Sequence, residues 1–187
     1  MVRPRNVSDT ELLQRIAHGL SDQPGSWSLD EAAQVAKVHP ATLVKRFGSK
    51  HALLVELSRR WSAAIPDGPL TDDCLAELRA WVEGVARPPQ DRSGGVAGLA
   101  MLLEDLKNDE LSRLLAAGWE RQIAYLSVLI AGSDAVGELP RAPEPAIAAA
   151  LLLDVVNGSY LRAAADAAPS SSVSVQTLLL TLLESWA

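Results

Sequence analysis

Cysteine occurs once, at Cys74, so the chain can form no intrachain disulfide and no Cys-x-x-Cys metal site. Histidine occurs three times, at His18, His39 and His51, too scattered to form a metal cluster in sequence, and no metal or cofactor is expected. Aromatic residues are only 4% of the 187, so the core must be largely aliphatic. Runs alternating Val, Ile or Thr with polar residues are missing, which argues against strands. The longest uninterrupted apolar run, Ala146 to Leu153, falls short of the roughly 18 residues of a membrane span. The opening MVRPRNVSDTELL lacks the apolar stretch of a signal peptide, and a soluble cytoplasmic protein without membrane contact is expected. A glycine-rich phosphate loop, a nucleophile elbow and a set of metal ligands are all missing, so an enzyme is the weakest reading.

What is present is a foldable chain. Hydrophobic residues make up 48% and charged residues 21%, which excludes a disordered chain. The formal net charge of −6 is unevenly spread. Residues 1–61 carry nine Lys and Arg against six Asp and Glu, a balance of +3, and all three histidines; residues 62–187 carry eight against seventeen, a balance of −9. Local charge, not the total, is what meets a phosphate backbone.

The pattern is helical throughout. Asp9 to Leu20 sets Leu12, Leu13, Ile16, Ala17 and Leu20 on one face. Ser28-Leu29-Asp30-Glu31 reads as a capping box opening a second helix that ends near Lys37, with Trp27 placed to staple onto Ala32. Val38 and His39 make a tight turn, and Pro40 suits the first position of a third helix running to about Phe47. Gly48 ends it, and Ser49 caps a fourth helix with Leu53, Leu57 and Trp61. Ile65 to Pro69 is the expected boundary between domains 1–64 and 65–187. Beyond it, helices are expected from a Thr71 cap to about Ala86, from Val96 to Leu106, from Asp109 to Ala131, from Ala146 to Ala167 and from Val173 to Trp186. Arg87–Gly95, Gly132–Pro145 and Pro169–Ser172 are expected loops.

Two short helices joined by a tight turn, the second one basic, form a helix-turn-helix. Ala33 is small enough to let the helices approach, while Val38 and Leu43 fill the space between them. Thr42, Lys45 and Arg46 then project outward, where hydroxyl and basic groups meet base edges and phosphates in a major groove. Lys50 and the free N–H groups that open the fourth helix suit a phosphate. Arg3 and Arg5 form a basic arm. The competing reading is a three-helix cap with a solvated basic face.

The stretch Trp27 to Leu54, above all ATLVKRFGSKHALL from Ala41, resembles the DNA-binding region of the TetR family of bacterial repressors. The likeness is close over residues 9–61 and one of layout beyond. Three positions depart from the family pattern: Lys37 replaces a turn glycine, His39 a serine and Val44 a tyrosine. The resemblance implies an all-α fold with an N-terminal helix-turn-helix domain and a C-terminal helical domain for ligand binding and dimerisation. It implies phosphate contacts at Ser28 and Lys50, and base or groove contacts at His39, Pro40, Thr42, Val44 and Lys45. Arg46 serves either role or pairs internally. The implied partners are a near-palindromic duplex operator, a second copy of the chain and a small-molecule effector. The last two helices would pair with their copies through Gly158, Leu161, Leu179, Leu182, Leu183 and Trp186. The alternative is a small-molecule-binding or interaction protein of this fold whose DNA binding is weakened or lost.

Gln122 lies near the centre of the long helix's apolar face, where a buried amide needs a ligand or a neighbouring helix. Asp154 and Asn157 sit within one turn of an otherwise apolar helix. A cationic ligand, Arg162 or an arginine of a second copy would answer a buried Asp154. Trp81, Met101, Trp119 and Tyr125, with Tyr160, either line an apolar cavity or fill core. Cys74 reads as inert filler.

Overall fold

The structure, a computed structural model, describes residues 7–20, 27–85, 92–165 and 173–187. The described residues form nine α-helices and no strand: α1 Asp9–Leu20, α2 Leu29–Ala36, α3 Pro40–Phe47, α4 Lys50–Ala63, α5 Cys74–Val85, α6 Arg92–Leu106, α7 Asp109–Ala135, α8 Pro145–Ala165 and α9 Val175–Trp186. The fold is all-α, with α1–α4 as a helix-turn-helix unit and α5–α9 as a helical bundle.

Local chemistry sets the first four helices. The Ser28–Glu31 capping box is present in both directions: the Ser28 hydroxyl accepts the Glu31 N–H at 3.2 Å, and the Glu31 carboxylate accepts the Ser28 N–H at 2.6 Å. Ser49 caps α4 by accepting the Ala52 N–H at 3.1 Å. One cluster of buried side chains unites these helices: Leu12, Leu13 and Ile16 from α1, Ala32 and Ala33 from α2, Leu43 from α3, Leu53 and Leu54 from α4. Trp27 and Ala32 are both buried in it. A second cluster gathers Leu78, Val82, Leu126, Leu129, Leu152, Leu179 and their neighbours from α5, α7, α8 and α9. Leu111, at the start of α7, is buried in the first cluster, so α7 roots in both. At the same junction Trp61 of α4 lies over Gly118; a Cβ there would fall 2.0 Å from the indole ring.

The turn between α2 and α3 adopts the conformation that glycine favours. Lys37 has φ 57° and ψ 45°, the one positive φ at a non-glycine among the described residues. Its N–H donates to Gln34 at 3.1 Å, and the Val38 N–H donates to Ala33 at 3.0 Å, which closes the helix in a Schellman motif. An L-residue held left-handed costs about 1–2 kcal/mol. Lys37→Gly is therefore expected to raise stability by about 1 kcal/mol and the melting temperature by roughly 2–4 °C, read in a thermal melt.

Several helix ends differ from the sequence expectation. Asp73, not Thr71, caps α5: its carboxylate accepts the Ala76 N–H at 2.8 Å, while the Thr71 hydroxyl turns to Glu77 and the Asp73 carbonyl. Residues 92–95, expected in a loop, belong to α6; packing of α6 against α8 and α7 overrides their weak propensity. The rest of that loop, and the break at 169–172, lie outside the described residues. Helix α7 runs four residues past Ala131, through Gly132. Gly132 does not stop the helix but admits Cys74, whose sulfur would lie 2.5 Å from a Cβ there. Pro145 opens α8, where a missing N–H is harmless.

By length and composition α8 is apolar enough to cross a membrane, which the count of uninterrupted apolar residues missed because Asp154 and Asn157 interrupt the stretch. Here it is a bundle helix, with Ala148, Leu152, Leu153 and Val156 buried.

Candidate nucleic-acid interface

Helix α3 is short, and its two faces are cleanly divided. Leu43 is fully buried and Phe47 packs against the same cluster, so i and i+4 anchor the helix. His39, Ala41, Val44 and Lys45 are exposed on the other side, and Thr42 and Pro40 are half-buried at its edge. Lys45 forms no ion pair with any described residue. Val44 presents an apolar surface, 48% exposed, of the kind that meets a thymine methyl. His39 caps the helix: its Nδ1 accepts the Ala41 N–H at 3.2 Å, which leaves Nε2 as the nitrogen that carries the proton and donates.

Three residues expected on DNA are otherwise engaged. Arg46 turns back onto the start of α1, where its guanidinium donates to the Val7 carbonyl at 2.5 Å and to Asp9 at 3.0 Å. Of the roles left open for Arg46, internal pairing is the one seen in the free chain. The Ser28 hydroxyl donates to Glu31 at 2.8 Å, so its proton is committed to the cap. That cap and its hydrogen bonds from Ser28, first from the backbone and then from the hydroxyl, hold the Glu31 carboxyl below its ordinary range. The Lys50 ammonium is bound by Glu104 of α6 and lies 5.1 Å from the centre of the Trp27 ring. Arg3 and Arg5 lie outside the described residues.

Beside this face a cleft of about 400 Å³ opens between α1, α3, α4 and the start of α7, lined by Leu13, Phe47, Ala52 and Val55 and rimmed by charge. The rim groups face one another: Arg46 pairs with Asp9 at 3.0 Å, His51 hydrogen-bonds Glu110 at 3.1 Å, and Arg59 pairs with Glu56 at 2.8 Å. No local pattern announces it, because the paired residues are distant in the chain except Arg59 and Glu56.

The residues expected to line an effector pocket differ in exposure. Trp81 and Tyr125 pack with the C-terminal core. The Tyr125 hydroxyl donates to buried Glu77 at 2.5 Å, and burial together with that carboxylate pushes the phenol up. Met101, Trp119, Gln122 and Asn157 are half-buried, whereas Asp154 is exposed, so it needs no buried counter-ion. Arg162 donates instead to the Val173 carbonyl at 3.0 Å. Sequence reasoning also missed Glu77, whose carboxylate accepts the N–H groups of Leu70 and Thr71 at 2.9 and 3.0 Å. Among the described residues no three His, Cys, Asp or Glu side chains converge on a metal position.

The expected pairing surface splits in two. Leu161 and Gly158 are exposed on α8, and nothing approaches the Gly158 Cα face. Leu179, Leu183 and Trp186 are instead buried in the chain's own core, and Leu182 packs against it. Within the single chain, α9 packs its apolar face on α8 and α5. On α8 the exposed apolar side chains Ile147, Leu151 and Leu161 form a stripe with Asp154 and Gly158.

This architecture has known counterparts. No protein-family model matches the chain, and no curated protein resembles it in sequence. Solved structures do match over nearly full length. A TetR transcription regulator from Haloarcula marismortui aligns with a TM-score of 0.69 at 18% identity, over 95% of this chain and 96% of that one. A chain from a Rhodococcus species assigned to the TetR family of transcriptional regulators gives 0.61 at 16%, over 95% and 97%. GusR from Salmonella enterica gives 0.55 at 20%, over 98% of both. The chain has the fold of the TetR-family transcriptional regulators.

Proposed function

We propose that the chain is a transcriptional regulator of the TetR type, acting as a repressor that binds a near-palindromic operator as a homodimer and releases it when an effector is held in the C-terminal bundle. The observation that carries this reading is α3: an exposed helix face of His39, Ala41, Val44 and Lys45 held outward by fully buried Leu43. The +3 balance of residues 1–61 and the fold shared with TetR-type regulators support it. Residues 1–64 read DNA in this account, and 65–187 bind the effector and the second subunit.

Pairing through the α8 stripe follows from its exposure. Ile147, Leu151 and Leu161 are 57%, 43% and 61% exposed along one side of the helix, with Gly158 allowing close approach. Two copies joined there must set their α3 helices about 34–36 Å apart to enter successive major grooves. The effector site is assigned to the bundle side chains Trp81, Met101, Trp119, Gln122, Tyr125 and Asn157. Release requires only that the effector bind the non-DNA spacing better. One observation favours the alternative, an effector-binding protein that has lost DNA reading: Arg46 and Lys50 are both engaged internally.

Selection of fragmented genomic DNA on the purified full-length chain, with its mass measured in solution, tests the proposal. The expected result is a dimer that enriches fragments sharing a near-palindromic site. A monomer, or a dimer that enriches no common site, overturns it.

A further inference from the structure

Lys50 opens α4 and stands beside helix N–H groups left without intrahelical partners, a position suited to a phosphate. In this structure that position already holds an anion. Both carboxylate oxygens of Glu104 receive the Lys50 ammonium, at 2.7 and 3.0 Å. The indole of Trp27, itself buried in the N-terminal cluster, faces the same ammonium at 5.1 Å. The pair is fairly well covered, with the lysine side chain 28% and the glutamate side chain 35% exposed. Glu104 comes from α6, 54 residues away and packed chiefly on α8 and α7. A DNA phosphate and the Glu104 carboxylate are therefore rivals for one cation.

We propose that Glu104 is an affinity brake: a carboxylate of the effector half that masks Lys50 in the free protein and must be displaced by a DNA phosphate on binding. This rests on the regulator reading above. The exchange is one anion for another, with no covalent step. It makes the placement of α6 a determinant of operator affinity, because Glu104 reaches Lys50 only from where α6 now lies. His51, the next residue, faces a different acid, Glu110 of α7, at 3.1 Å.

A double-mutant cycle on full-length protein, titrated against a duplex selected as described above, tests the brake. Glu104→Gln keeps the side-chain shape and removes the charge. It is expected to tighten binding roughly threefold to tenfold, because each dimer loses two such pairs. It is also expected to steepen the dependence of log affinity on log salt by up to about 0.9 for each freed lysine. Lys50→Gln is expected to weaken binding, and adding Glu104→Gln to it is expected to change nothing further. Glu110→Gln controls for the general loss of an acid near DNA. Glu104→Ala repeats the measurement if the glutamine variant melts early.

Unchanged or weaker binding by folded Glu104→Gln overturns the brake while leaving the regulator reading intact. So does a gain that persists in the Lys50→Gln background or is matched by Glu110→Gln, since both are field effects rather than competition. A chain that selects no duplex in either form overturns the regulator reading and the brake with it. Binding by Glu104→Gln alone supports both.

Discussion

Lys45→Ala and Thr42→Ala are each expected to abolish or severely weaken selective DNA binding without unfolding the protein. Lys45 is exposed and free of ion pairs with described residues, so its removal breaks no ion pair among them. Thr42 is half-buried at the edge of the same face, and its N–H, which helps close the first turn, is retained in alanine. A contact to a base edge is worth about 1–3 kcal/mol, and a dimer carries each substitution twice, so the loss is roughly 2–6 kcal/mol. That corresponds to a thirtyfold weakening at the low end, roughly, since each 1.4 kcal/mol is about tenfold. Fluorescence anisotropy with the selected duplex reads the loss, and a thermal melt checks the fold. Normal binding by both variants means that α3 is not the reading helix.

Glu77→Ala is expected to produce the largest loss of stability of any single change discussed. The carboxylate is buried and fully employed: it accepts from Leu70, from the Thr71 N–H and hydroxyl, and from Tyr125. It ties the segment that follows α4 to the core of α5 and α7. Truncation would leave the Tyr125 hydroxyl and two backbone N–H groups without their acceptor, a loss of about 3 kcal/mol. The same site gives the fold an acid-sensitive contribution. Burial pushes the Glu77 carboxyl up, but the hydrogen bonds from Tyr125, Leu70 and Thr71 outweigh it, and the carboxyl is held below its ordinary value. A group depressed in the folded state stabilises above its unfolded pKa, about 4.3 for Glu, and that stabilisation is lost as pH falls through the folded value. Denaturant unfolding at neutral pH and near pH 3 is expected to show this loss in the wild type. Glu77→Gln is expected to start lower and to lose less on acidification. An unchanged pH dependence in that variant would assign the acid sensitivity to other carboxylates.

What the sequence revealed and what it hid divide by range. The Ser28–Glu31 box, Pro40 at the start of α3, Gly48 at its end and the Ser49 cap are signals a few residues long, and all four lie where they were expected. The buried Ala33 and Leu43 of the helix-turn-helix were equally legible, because helical periodicity alone assigns them inward. Pairings across the fold were not. Arg46 with Asp9, Lys50 with Glu104 and Tyr125 with Glu77 join residues 37, 54 and 48 apart, and no local pattern announces them. The glycines misled for a related reason: Gly132 reads as a breaker but is a gap filled by Cys74. The leucines of α9 share one pattern with a pairing surface and with a core face, and only packing decides that Leu179 and Leu183 belong to the core. Identities of 16–20% with chains of the same fold show how little of the sequence that packing constrains.

In the proposed reading, α3 enters the major groove of duplex DNA. Titration of the purified chain against the duplex that flanks its own coding region, at two salt concentrations, tests it most directly. Selective binding is expected to weaken steeply between about 50 and 200 mM salt, by an amount set by the number of phosphates contacted. Binding that is absent at both salts, or that is equal for an unrelated duplex, would contradict it.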